Sequence, residues 1–170
     1  GSTVAGNSNI GDIHNGLGEI FDSNADITAA KGISLQAAGT ILNVGDYLVT
    51  DVGYITVQAQ GSIANIGDYT LAKDGNITVR AGVDVGNTGR YIITENGNIT
   101  VSAGGDIANL GSYYTHEGNM SMTATKNLLN FGVMETESGN ISIISTDGII
   151  FNEGSADLLT GGGNVTLRAE

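Results

Sequence analysis

The residues best suited to acid–base or metal chemistry are few and scattered. His14 and His116 have no partner His at i, i+4. A catalytic or metal role needs ligands that converge, so both read as loop or surface histidines. Asp12, Glu19, Asp22 and Asp26 gather in one irregular stretch. Calcium takes several oxygen ligands, but neither an EF-hand loop nor a Gly-Gly-x-Gly-x-Asp repeat is present. Solvated loop acids are the better reading, and no metal and no cofactor is expected. Asp46 and Asp68 share a repeat position that holds Arg90, Ser112 and Val133 further on. A glycosidase or lyase needs carboxylates converging on one groove, and two stacked acids look more like drift between repeats than a catalytic pair. No catalytic residue is assigned, and the chain is not expected to be an enzyme.

Asparagine is the residue type placed most regularly. Asn43, Asn65, Asn87, Asn109, Asn130 and Asn152 each stand two residues before a glycine and two after Ile, Val or Leu. A primary amide carries both donors and an acceptor. A column of such residues can therefore link one repeat to the next, as amide ladders do in stacked sheets. A merely solvated turn would accept Asp or Ser in some copies, yet all six are Asn. The six are expected to point inward as a structural ladder. Five further asparagines, Asn76, Asn98, Asn119, Asn140 and Asn164, open N-x-S/T sequons at one repeated Gly-Asn corner. The corner itself explains them, because Asn suits the turn and Thr or Ser suits the outer face of the strand that follows.

These columns require an element that repeats about every 22 residues. The strand signal is Ile33-Ser-Leu-Gln-Ala37, Ile55-Thr-Val-Gln-Ala59, Ile77-Thr-Val-Arg-Ala81 and Ile99-Thr-Val-Ser-Ala103, with looser copies beginning at Met120, Ile141 and Val165. Apolar and polar residues alternate with period two, the mark of a strand with one buried face. No segment carries a helical period. Each repeat holds about three short strands. A propeller blade normally needs about 40 residues, whereas about 22 suit one turn of a coil whose residues sit over their counterparts at roughly the 4.8 Å strand spacing. The expectation is an all-β, right-handed parallel β-helix of six to seven coils over residues 31–170, preceded by an irregular coil or loop segment over 1–30. In that segment Asn15 resembles a repeat Asn, but 28 residues separate it from Asn43. A Tyr column at Tyr47, Tyr69, Tyr91 and Tyr113, continued by Met134 and Ala156, is expected in the core.

Composition narrows the partners. The 170 residues include 27 Gly, no Pro, no Cys and no Trp, and the net charge is −12. Without cysteine there is no disulfide framework. A surface this acidic repels nucleic acid and anionic lipid. No apolar run approaches the length of a membrane span, so neither nucleic-acid binding nor membrane insertion is expected. Gly1-Ser2 has the look of a cleavage remnant and no leader follows it, so the chain is expected to be a piece of a longer one.

The stretch Gly97-Asn-Ile-Thr-Val-Ser-Ala-Gly-Gly-Asp-Ile-Ala-Asn-Leu-Gly111, with its equivalents across residues 31 to 170, resembles the haemagglutinin-type repeats of large exoproteins exported by the two-partner secretion route of Gram-negative bacteria. That family includes filamentous haemagglutinins and the stalks of contact-dependent growth inhibition toxins. The resemblance implies a fibrous shaft and display at the cell surface or secretion. Its partners would be neighbouring coils, an outer-membrane two-partner transporter during export, and an unidentified host or bacterial receptor. The Tyr positions and the first 30 residues depart from the family pattern. The expected function is thus a structural shaft segment of an adhesin or toxin-delivery stalk. The alternative is a carbohydrate-binding or carbohydrate-degrading protein on the same fold.

Overall fold

The structure is a computed structural model. It describes short strands at 2–4, 8–9, 13–15, 20–22 and 27–29, then the backbone of 32–43, 46–65, 67 and 69–170. Side chains are described for 32–42, 46, 53–65, 67 and 70–170. Among these residues there is no helix, and the strands form three parallel sheets of eight strands each. The molecule is a β-solenoid. Sheet A holds three-residue strands that end on the ladder position, such as Ile63–Asn65, Val85–Asn87 and Ile107–Asn109. Sheet B contains Tyr69–Asp74, Tyr91–Asn96, Ser112–Glu117, Met134–Ser138 and Leu158–Thr160. Sheet C contains Tyr54–Ala59, Ile77–Ala81, Ile99–Ala103, Met120–Ala124, Ile141–Ser145 and Val165–Ala169. From residue 32 onward the sheets have six, six and seven strands, which is the six to seven coils that the repeat count predicts.

Register explains the core. In sheet C, Ile77, Val79 and Ala81 lie between Ile55, Val57, Ala59 and Ile99, Val101, Ala103. All nine are buried, and Ile55, Ile77 and Val101 have no accessible surface. The alternating residues, Thr56, Thr78, Thr100 and Gln58, Arg80, Ser102, face outward. Like side chains stacked at strand spacing leave few gaps, and each buried Ile or Val contributes about 1.5–3 kcal/mol. Glycine is required where the coil bends most sharply. A Cβ on Gly118 would sit 2.0 Å from the Gly97 carbonyl oxygen, and Gly118 has φ of +145°, a region L side chains rarely adopt.

Two expectations about columns are corrected. Asn15 pairs with Ala37, and the position under Asn43 is taken by Asp22. The apparent excess of residues before Asn43 came from matching the wrong asparagine. Strands within 2–29 join the same three sheets. The Tyr column also fails. Asn87 pairs with Asn109, but Tyr91 pairs with Ser112, so this corner is one residue shorter than its predecessor. A one-residue slip reverses which face a side chain occupies. Tyr91 is 40% exposed, whereas Tyr113 enters the column of Ile92 and is 1% exposed. Tyr47 pairs with Thr70, and Leu158, not Ala156, continues the column beyond Met134. The side chains of Tyr47 and Tyr69 lie outside the described residues.

Candidate functional site

The inner asparagines form one hydrogen-bonded chain. Nδ2 of Asn65 donates to Oδ1 of Asn87 at 2.8 Å, Asn87 to Asn109 at 3.0 Å, Asn109 to Asn130 at 2.8 Å and Asn130 to Asn152 at 2.7 Å. Asn87, Asn109 and Asn130 are 0–1% exposed. Each sits at the end of a sheet A strand, where the backbone turns. The turn supplies further partners: Gly111 N–H donates to Asn109 Oδ1 at 3.1 Å, and Asn130 Nδ2 donates to the Gly132 carbonyl at 3.0 Å. At the last coil Asn152 Nδ2 turns to the Ala156 carbonyl at 2.9 Å. The Asn43 side chain lies outside the described residues.

A second buried polar column escaped the sequence reading. Thr94, Thr115 and Thr136 have no accessible surface. Their hydroxyls donate to the carbonyls of Gly75, Gly97 and Gly118 in the preceding coil at 2.7, 2.9 and 3.0 Å. Thr160 does the same to Gly139 at 3.0 Å. The signal was present in the sequence as Thr-x-x-Gly at 94, 115, 136 and 160. Threonine sits on either face of a strand, so the pattern pointed nowhere until the register was known.

The sequon asparagines make an outer ladder along one edge of sheet C, and all five are exposed. Oδ1 of Asn76, Asn98, Asn119 and Asn140 accepts the backbone N–H of the next member at 2.8, 2.8, 2.9 and 2.9 Å. Each carboxamide caps the turn above it, the corner role read from the sequence. Tyr54 occupies the same edge in the preceding coil and is 48% exposed.

His116 meets one carboxylate. Its Nδ1 lies 2.8 Å from Glu137 Oε2, and the Tyr114 hydroxyl donates to the same carboxylate. The hydrogen bond to Glu137 raises Tyr114 to about 12, with smaller contributions from desolvation and from the charges of Glu137 and Glu135. The Tyr114 and His116 hydrogen bonds hold Glu137 below the usual carboxylate range. Both shifts run away from neutrality, so neither Tyr114 nor Glu137 is tuned for proton transfer near pH 7. The His14 side chain and those of Asp12, Glu19, Asp22, Asp26 and Asp68 lie outside the described residues. Asp46 is partly buried. Among the described residues no three His, Asp or Glu gather into a possible metal site.

One open groove of about 430 Å³ crosses the outer face of sheet C, lined by Gln58, Gln60, Arg80, Gly82 and Ser102. Gln58, Gln60 and Arg80 are all exposed. The groove holds hydrogen-bonding amides and one guanidinium, with no nucleophile and no carboxylate in its lining. No protein-family model, curated protein or solved structure matches this chain.

Proposed function

We propose that this chain is a structural shaft segment of a large secreted or surface-displayed bacterial protein, an adhesin or a toxin-delivery stalk, that holds a distal module away from the cell. The observation supporting this reading is the unbroken inner Asn chain from Asn65 to Asn152, together with the apolar columns beside it. The chemistry of the interior is spread evenly along the rod, as a load-bearing spacer requires, and no coil is singled out. A solenoid built from nearest-neighbour contacts can also fold progressively as the chain emerges, which suits export through an outer-membrane transporter. The proposed location is the surface of a Gram-negative bacterium, as the repeat resemblance implies. The test is removal of the whole coil Ile77–Asn98 from the displayed parent protein. Export and distal function should survive with reach shortened by about one strand spacing, ~4.8 Å. Loss of the distal activity with export and folding intact would defeat the spacer reading.

A further inference from the structure

We propose that the outer face of sheet C around Arg80 is a binding surface for acidic oligosaccharides, that is, glycans carrying carboxylates. The inference goes beyond the shaft reading and stands or falls without it. Charge segregation motivates it. The chain has 18 acidic residues, yet among the described residues none faces outward on sheet C, whose outer positions hold Ser, Thr, Gln, Ile144 and two arginines, Arg80 and Arg168. Arg80 is exposed and has no ion pair among the described residues. It sits in the groove between Gln58 and Ser102. A guanidinium recognises a carboxylate with two parallel N–H donors, and the screening that weakens surface pairs in water is reduced where a ligand lies against the sheet.

The neighbours suit a sugar. Tyr54, Thr56 and Gln58 project from one strand at alternate positions, about 7 Å apart. Tyr54 is an exposed ring on which an apolar sugar face can rest. Gln58 and Gln60 offer donors and acceptors for ring hydroxyls. The same face offers a nucleic acid one guanidinium at this site, on a protein of net charge −12, so a polyphosphate would meet repulsion over most of its length.

The test is calorimetric titration of the whole chain with three probes: oligogalacturonate, its fully methyl-esterified form, and polyglutamate of similar length. Oligogalacturonate should bind, and the neutral ester should bind at least about tenfold more weakly. Arg80→Gln should weaken oligogalacturonate by about the same factor and leave the ester unchanged, while Tyr54→Ala should weaken both. Arg90→Gln, on another sheet, should leave binding as it is. Unfolding of each variant checks that the sheet is intact. Absence of oligogalacturonate binding overturns the proposal. So does polyglutamate binding as tightly, which would reduce the site to charge alone, or an Arg80→Gln variant that binds like the parent.

Discussion

Single residues decide how each coil holds its neighbour. Asn109 donates to Asn130 and accepts from Asn87 and from the Gly111 N–H, with no accessible surface. Asn109→Asp keeps the acceptors and loses the donor, so it should destabilise by roughly 1–3 kcal/mol at pH 7, and Asn152→Asp should cost less because fewer coils lie beyond it. Burial raises the folded-state pKa of the introduced carboxyl. Its penalty is therefore absent below the unfolded Asp value and grows as pH rises towards the folded one. Denaturant melts at pH 4 and pH 7 should show the deficit shrinking at the lower pH. Equal midpoints for Asn109→Asp and the parent at pH 7 would refute the ladder's energetic role. Tyr113 carries the opposite sign. Its hydroxyl is buried with no hydrogen-bond partner among the described residues, desolvation raises its pKa, and its ring lines a small cavity of about 20 Å³. Removing an unsatisfied buried hydroxyl is neutral or favourable, so Tyr113→Phe should melt at or above the parent midpoint. A clear fall would show that the hydroxyl is paired.

At the scale of the strand, alternation makes adjacent positions unequal. Val79 is 7% exposed while Thr78 lies on the outer face. Val79→Asp buries an unpaired charge costing several kcal/mol, a large part of a typical stability of about 5–15 kcal/mol. It should abolish folding, whereas circular dichroism and melting of Thr78→Asp should resemble the parent. Similar damage from both would reverse the assigned faces. The corners are equally specific. Gly118→Ala meets both the Gly97 carbonyl and an unfavourable φ, while Gly154 has open space around it. Only the former substitution should lower the melting temperature appreciably, by an amount a thermal scan can read.

The whole molecule is a stack, and its stability should follow the number of complete coils. A deletion that removes Ile77–Asn98 joins Asn76 to Ile99 in register, whereas removing Ile77–Asn87 leaves sheets A and C out of step. The first should give a cooperative melt and an all-β spectrum, the second an aggregated or unfolded product. Chelation offers a separate check. No triad of metal-ligating side chains is found among the described residues, and a melt in EDTA should overlay the melt without it. A large drop would point to the acids between Asp12 and Asp26.

Period and alternation alone determined the all-β class, the 22-residue coil, the inner and outer faces of sheet C and the identity of the asparagines that link the coils. Those features are local and repeated, so each copy reinforces the next. What only the tertiary structure decided depends on register between coils. Tyr91 and Tyr113 are 22 residues apart and looked equivalent, yet a corner shorter by one residue puts one outside and the other in the core. The buried Thr94, Thr115 and Thr136 carried no local sign of which face they took. The acid-free face of sheet C is likewise invisible along the chain, because outward residues from successive strands become neighbours only when the coil closes and side chains about 22 positions apart are brought to within one strand spacing.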